Sequence, residues 1–313
     1  MIDVSHKATQ YGWFALKVFF LLASFYFVYL KLSASEWLDP HILQNLVQPQ
    51  PILFVFFLLA ALNWLAEIAK WQTACLPVRK LTFREAAQQS LAALALSLAT
   101  PNRIGEYGAK AYFFEKKLRK KILLFTFLGH KAQLFITLLF GLTAIFILIP
   151  RYGIRLSWPM ITVTVIALGI STFFLYKFRN WKWNKGGLSL KKIGRYVFHL
   201  PISLPLSLLG LSLVRYLCFS VLFWLLLGYF GAPVNFAVAY PLVCAMYLMA
   251  SIVPTLFWLD VVIRGGVAVW LFSLVGVPEL PVLATVLAMW VLNMVAPALI
   301  GSFFVFTYRP AHL

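Results

Sequence analysis

The segment Ala99-Thr100-Pro101-Asn102-Arg103-Ile104-Gly105-Glu106-Tyr107-Gly108-Ala109-Lys110 interrupts an otherwise very apolar chain with two bases and an acid. Pro101 removes a backbone donor, and Gly105 and Gly108 let backbones approach closely. The apolar run before it, residues 87–99, is too short to cross a hydrocarbon core of about 30 Å. The segment is therefore predicted to enter the membrane, turn at depth and leave by the same side as a re-entrant helical hairpin. Broken backbone and charge persist at that depth only when buried in protein or lining a wet cavity.

The composition around this segment agrees. The chain has 313 residues, is 62% hydrophobic and 12% charged, and has a mean hydropathy of +0.88. That balance excludes a soluble globular protein and indicates a polytopic membrane protein. No polar stretch is long enough for a separate soluble domain, so residues 1–313 read as a single membrane domain. Lys and Arg total 27 against 9 Asp and Glu, a net charge of +18. Such an excess follows from basic cytoplasmic loops and also attracts anionic lipid headgroups. The bases sit at membrane edges without a reader motif, so membrane lipids, not nucleic acid, are the expected partners. Cys75, Cys218 and Cys244 are scattered, and no His/Cys/acid group has metal spacing. No metal or other cofactor is expected.

Taken in order, residues 14–30 form a first apolar run, read as a retained span and not a cleaved signal. The loop 31–51 is nearly free of bases and reads as the outer side. Residues 52–71 form a second span containing Asn63 and Glu67, followed by Lys70, Arg79, Lys80 and Arg84. Beyond the interrupting segment come Lys116, Lys117, Arg119, Lys120 and Lys121. Both flanks are thus basic and cytoplasmic, which supports a hairpin over a crossing. Residues 122–149 are a third span, with His130, Lys131 and Gln133 near its cytoplasmic end, and residues 157–176 a fourth. The loop 177–195 carries seven bases and no acid, the strongest cytoplasmic signal. Residues 206–230 form a fifth span with Arg215 inside. Residues 235–251 are again too short, and run into a stretch holding Pro254, Asp260, Arg264, Gly265 and Gly266. The last span covers residues 282–306.

Two hairpins therefore share one plan of half-helix, proline, acid and base, glycines, and second half-helix. The first opens to the cytoplasm and the second to the outside. The fold is predicted to be all-α and polytopic, with about six transmembrane helices and two re-entrant hairpins in an inverted repeat. Its halves are residues 1–153 and 154–313, with both termini at the cytoplasmic face of an inner membrane.

A charge at the bilayer centre costs about 2.5–3.5 kcal/mol, so Arg103, Glu106, Lys110, Asp260 and Arg264 would together cost roughly 12–18 kcal/mol unpaired. They either pair to pin the hairpins together or hold a charged headgroup in a midplane cavity. Half-helix dipoles favour the second role. Arg103, Lys110 and Arg264 would engage phosphate, while Glu106 and Asp260 would orient them or contact an amine or sugar. Arg215 lies about two turns or more into its span, where it either faces the same cavity or snorkels. Glu67 and Lys131 lie about one turn from basic loops, where snorkelling to the interface is an equal reading. His130 reads as a packed helix residue. Pro101, Gly105, Gly108, Pro254, Gly265 and Gly266 mark the hairpin turns.

Pro101, Gly105, Glu106 and Lys110, with Pro254 and Arg264, give a resemblance to the flippase-like integral membrane family related to the transmembrane part of lysylphosphatidylglycerol synthases. That family carries a Pro-x-x-x-Gly-Glu motif with a following base, and a second motif of Pro, glycines and an Arg-Glu pair. Here Gly265 stands where Glu is usual, with Asp260 the nearby carboxylate. The resemblance implies paired re-entrant elements and movement of a charged lipid between leaflets, either an aminoacyl phospholipid or a polyprenyl or other lipid-linked precursor. The alternatives are a membrane-embedded enzyme or enzyme subunit acting on a lipid-linked sugar, and a non-catalytic scaffold for envelope assembly.

Overall fold

A computed structural model describes residues 51–98, 100, 103–153, 196–252 and 257–307. These residues are helical, with no strand among them. The elements are α1 (Pro51–Cys75), α2 (Phe83–Ser97), α3 (Gly105–Tyr112), α4 (Arg119–Tyr152), α5 (Ser203–Tyr229), α6 (Phe236–Ile252), α7 (Phe257–Ser273), α8 (Glu279–Trp290) and α9 (Ala296–Thr307). A π-helical segment, Val291–Val295, joins α8 to α9 without a break. Four helical segments are long and apolar enough to cross a bilayer: α1, α4, α5 and the continuous Glu279–Val305. The candidate spans at residues 14–30 and 157–176, and the prolines Pro101 and Pro254, lie outside the described residues.

The side chains are arranged for lipid. On α1 the buried positions Phe56, Ala60, Asn63, Trp64, Glu67, Lys70, Trp71 and Ala74 recur every three or four residues and form one face. The opposite face exposes Phe54, Phe57, Leu58, Leu62 and Leu65. Helix α4 likewise exposes Phe135, Leu139, Leu142 and Phe146. Leaving such side chains in water forgoes about 1.5–3 kcal/mol each relative to burial, a loss that hydrocarbon surroundings remove. Charged residues inside and large apolar residues outside invert the soluble pattern, and the chain is a membrane protein.

Four shorter helices complete the described fold, and two pairs of them pack on each other: α2 with α3, and α6 with α7. At 15 and 8 residues, α2 and α3 are about 22 and 12 Å long, each less than the hydrocarbon core. Helices α6 and α7, at 17 residues each, reach about 26 Å. The start of α2 is set by a capping box. Thr82 Oγ1 accepts from the Glu85 backbone N–H at 3.2 Å, and Glu85 Oε2 accepts from the Thr82 N–H at 2.8 Å. The Thr82 N–H holds the Glu85 carboxyl below its ordinary value, and Arg79 adds an ion pair at 2.7 Å.

Helix α1 packs mainly on α5, α6 on α4, α7 on α8, and α9 on α2. Glycines permit the closest of these approaches. A side chain at Gly301 on α9 would overlap the carbonyl of Leu91 on α2, and one at Gly141 on α4 would overlap Leu248 on α6. Packing with small residues at the contact is how membrane helices associate when burial of apolar surface supplies no driving force.

The buried apolar residues fall into two main clusters. One joins Phe56 and Ala60 of α1, Ile136 of α4, Tyr216 of α5 and much of α6, α7 and α8. The other joins Ile68 and Trp71 of α1, Ala86 of α2, Phe125 and Ala132 of α4, and Leu208 of α5. The chain passes from one to the other between residues 60 and 68 on α1, 132 and 136 on α4, and 208 and 216 on α5. Those three windows contain Asn63, Glu67, Gln133, Ser212 and Arg215. A polar layer thus separates the two cores. Asn63 is the central residue of the 25 in α1, about 18 Å from either end, and the layer runs from there through Glu67 and Lys70 toward the Cys75 end.

Candidate functional site

The layer begins with bonds between spans. Arg215 on α5 donates from Nε to Asn63 Oδ1 at 3.0 Å and from Nη1 to Gln133 Oε1 at 3.4 Å. Its Nη1 also forms a close ion pair with Glu67 Oε2. Glu67 meets Lys70 Nζ at 2.6 Å, one turn further along α1. Asn63 Nδ2 donates to Asn293 Oδ1 at 2.7 Å, and Trp64 Nε1 to the Asn293 carbonyl at 3.1 Å. Asn293 sits in the π-helical segment. A π turn disrupts the regular i to i−4 bonding, which leaves backbone available to outside donors such as the Trp64 indole. Glu67, Lys70 and Asn63 are all buried, so each charge is taken out of water and needs these partners.

A second group sits beside it on α3. Thr100 Oγ1 donates to Ser97 O at 2.7 Å and accepts from the Gly105 N–H at 2.8 Å, tying the end of α2 to the start of α3. A Cβ on Gly105 would come within 2.9 Å of that hydroxyl, so glycine is required by the close approach. Arg103 has φ +57°, the one non-glycine residue with positive φ among those described. That left-handed conformation is costly for a side chain bearing Cβ, and such strain concentrates at functional sites. It brings Arg103 Nη2 to 3.3 Å from Glu106 Oε2. Lys110 Nζ lies 2.8 Å from Glu106 Oε1 and 4.4 Å above the Trp71 ring. Trp71 is itself held by donation from Nε1 to Gln89 Oε1 at 2.9 Å. Glu106 and Lys110 are only 2% and 3% exposed.

A cleft connects the two groups. Glu67, Lys70, Trp71, Lys110, Thr126 and His130 line it with Ala74, Phe125 and Gly129. It encloses about 220 Å³ including its open mouth, with an interior of about one water-sized sphere. Glu67, Lys70 and Lys110 share this cleft, so the layer is one charged unit. It holds Arg103, Lys110, Lys70 and Arg215 against Glu67 and Glu106, an excess of two positive charges. Glu85 and Glu115 pair elsewhere with Arg79 and Lys117, and Asp260 pairs with Arg264. Such an excess can be balanced by a bound anion.

The sequence-predicted residues therefore divide. Arg103, Glu106, Lys110, Glu67 and Arg215 come together in the layer. Asp260 and Arg264 bond to each other at 2.8 Å along α7, with Arg264 over the Tyr247 ring. Among the described residues, no ion pair joins them to the layer. Both acid–base pairs, Glu106 with Lys110 and Asp260 with Arg264, are i to i+4 pairs within one helix. Lys131 is exposed and lies over the Phe127 ring. Gly108 falls within α3, and Gly265 and Gly266 within α7, away from any turn. A Cβ at Gly265 would lie 3.2 Å from Leu283 of α8, so that glycine serves helix packing.

Sequence reasoning placed Lys70 with the loop bases and passed over Trp71, Gln89 and Asn293. An i to i+3 acid–base pair inside an apolar run was the available signal for Lys70. Asn293, a lone amide in an apolar span, was the signal for its own role. Among the described residues, no group of three or more His, Cys, Asp or Glu could hold a metal. No family model, no curated protein and no solved structure matches this chain.

Proposed function

We propose that the chain is a multi-pass flippase-like membrane protein that takes a phosphate-bearing lipid headgroup into the cleft between α1, α3 and α4 and moves it between leaflets. The observation that carries this reading is the layer's excess of two positive charges, of which Lys70 and Lys110 are buried and face the cleft. Lys110 and Lys70 line the cleft and supply the phosphate contacts. Arg103 and Arg215 stand behind them, and Glu106 and Glu67 hold the bases in place. Trp71 supplies a flat apolar wall beneath Lys110. The interior now admits about one water, so a headgroup enters when α3, the shortest helix described, moves off α4. Arg264 with Asp260 forms a second, half-exposed station on α7.

The finer architecture belongs to the same proposal. The α2–α3 and α6–α7 pairs are the two re-entrant hairpins of an inverted repeat, each too short to span as a single helix. Basic loops place both termini in the cytoplasm. Under this arrangement, Arg84→Cys and Lys116→Cys label from one face, and Asn235→Cys and Glu279→Cys from the other. The native cysteines Cys75, Cys218 and Cys244 are buried and do not interfere. Labelling of residues 84 and 116 from opposite faces would make α2–α3 a crossing and remove the repeat.

Reconstitution into vesicles containing a fluorescent phosphatidylglycerol tests the function directly. The protein is expected to give an external quencher access to inner-leaflet dye, which empty vesicles do not allow. Lys110→Met keeps the apolar stem over Trp71 and removes one of the cleft's charges. It is expected to slow translocation at least about tenfold, the equivalent of 1.4 kcal/mol, while the protein still purifies. Unchanged translocation in Lys110→Met would take the headgroup out of this cleft. Chemical change of the headgroup would favour the enzyme alternative.

A further inference from the structure

Two buried atoms beside the cleft face each other 3.6 Å apart: Nε2 of His130, which makes no hydrogen bond, and Oε2 of Glu106, whose other neighbour is Arg103 Nη2 in an ion pair at 3.3 Å. The His130 ring is stacked on Tyr107 at 5.2 Å, so its plane is held and its Nε2 stays aimed at the carboxylate. The His130 side chain is 35% exposed and lines the cleft, while Nε2 itself is covered. An N–H on Nε2 would close this gap, and the imidazolium closes it most strongly, since a charge-assisted N–H to carboxylate bond settles at about 2.7–2.9 Å.

The surrounding charges set when that happens. From α3 and the turn before it, Glu106, Lys110, Arg103 and Tyr107 face His130. From α1, Glu67 and Lys70 line the same cleft. Arg215 of α5 reaches Gln133, one turn along α4. Lys131, next in sequence, is turned to Phe127. With the cleft empty of anion, a protonated His130 would raise the positive excess from two to three. With an anion in the cleft, that proton is balanced and gains Glu106 as its acceptor.

We infer that His130 and Glu106 form a proton site coupled to the anion site, so that each headgroup phosphate is bound together with one proton. The His130 ring takes up one proton from the cleft, the resulting imidazolium donates from Nε2–H to Glu106 Oε2, and the ring returns the proton when the anion leaves. This rests on the anion-binding reading of the cleft and supplies what that reading lacks, a means of coupling lipid movement to a proton gradient. By reciprocity, the anion strengthens proton binding by the same factor that the proton strengthens anion binding.

The test uses the full chain in nanodiscs with ¹⁵N-labelled histidine. His130 ring signals are identified by their loss in His130→Gln. If that variant does not fold, elimination with His6→Gln, His41→Gln, His199→Gln and His312→Gln identifies them instead. In phosphatidylcholine alone at neutral pH, His130 is expected to be a neutral imidazole. With phosphatidylglycerol added, it is expected to become an imidazolium, a change larger than the common shift of the other histidines. Binding of fluorescent phosphatidylglycerol should weaken about tenfold per pH unit as pH rises through the window in which only the bound form keeps the proton. His130→Gln should bind with a flat pH profile. Binding that is flat with pH in the native protein, with His130 neutral in both lipids, overturns the coupling and leaves the anion site standing. Failure to bind phosphatidylglycerol or inorganic phosphate at any pH overturns the anion site, and the coupling with it.

Discussion

Glu67→Gln is expected to lower stability by about 3–5 kcal/mol, the usual cost of removing one member of a buried ion pair. Glu67 is the carboxylate shared by Arg215 and Lys70, on a side chain only 9% exposed. Its loss raises the layer's positive excess to three and leaves Lys70 with no acid in contact. Arg215 keeps its bonds to Asn63 and Gln133, so the main injury is to Lys70. Adding Lys70→Met to Glu67→Gln should therefore recover at least half of the lost stability. Thermal unfolding in detergent, followed by the yield of monodisperse protein, reads both effects. A Glu67→Gln protein with an unchanged midpoint would mean that the pair sits in water at the interface and not in the buried layer. The same comparison separates structure from transport. Glu67→Gln with Lys70→Met should be stable and still move lipid poorly, because Lys70 lines the cleft.

Gly301→Ala is expected to cost about 1–3 kcal/mol, and Gly301→Leu to leave no recoverable folded protein. The added Cβ meets the backbone carbonyl of Leu91, and lies 3.3 Å from the Ala92 nitrogen. Backbone in a neighbouring helix cannot rotate aside as a side chain can, so α2 and α9 must separate. Their contact includes Leu91, Leu94 and Ala298 packed with Trp64, the residue whose indole reaches Asn293. Separation would thus disturb the polar layer as well as the helix contact. Gly210→Ala, on α5 with nothing within 4 Å of the new Cβ, is the control. Alanine exceeds glycine in helix propensity by about 0.8–1.0 kcal/mol, so this change should be neutral or stabilising. Equal midpoints for the two alanine variants would mean that α2 and α9 do not touch at Gly301.

The local half of the charged site was legible in the sequence. Glu106 with Arg103 and Lys110, and Asp260 with Arg264, stand three or four residues apart. The 3.6-residue helical turn alone puts such residues side by side. The shortness of the apolar runs around them followed equally from counting residues against the thickness of a bilayer. Composition settled that the chain belongs in a membrane, because no water-soluble core needs so much apolar surface. Gly301 shows the limit of local reading. A glycine in an apolar run is compatible with any helix face, and only the crossing of α9 over α2 gives it a task.

The centre of the site was decided by tertiary structure. Arg215 and Glu67 are separated by 148 positions and Asn63 and Asn293 by 230. Nothing in either local segment specifies its partner. Hydropathy scores Lys70 identically whether it closes a loop or enters the protein, and the nearby Arg79, Lys80 and Arg84 favoured the loop. Its burial follows from the rotation of α1, whose 3.6-residue period carries Lys70 onto the same face as Asn63 and Glu67. That face then needs α5, α4 and the π-helical turn to bring Arg215, Gln133 and Asn293 opposite it. Helix period orders charges along one segment, whereas the choice of which helices pack, and at what rotation, sets which charges meet. The assembled helices alone therefore produce four bases around two acids inside the bundle, because an uncompensated charge there is stable only when several helices contribute partners at once.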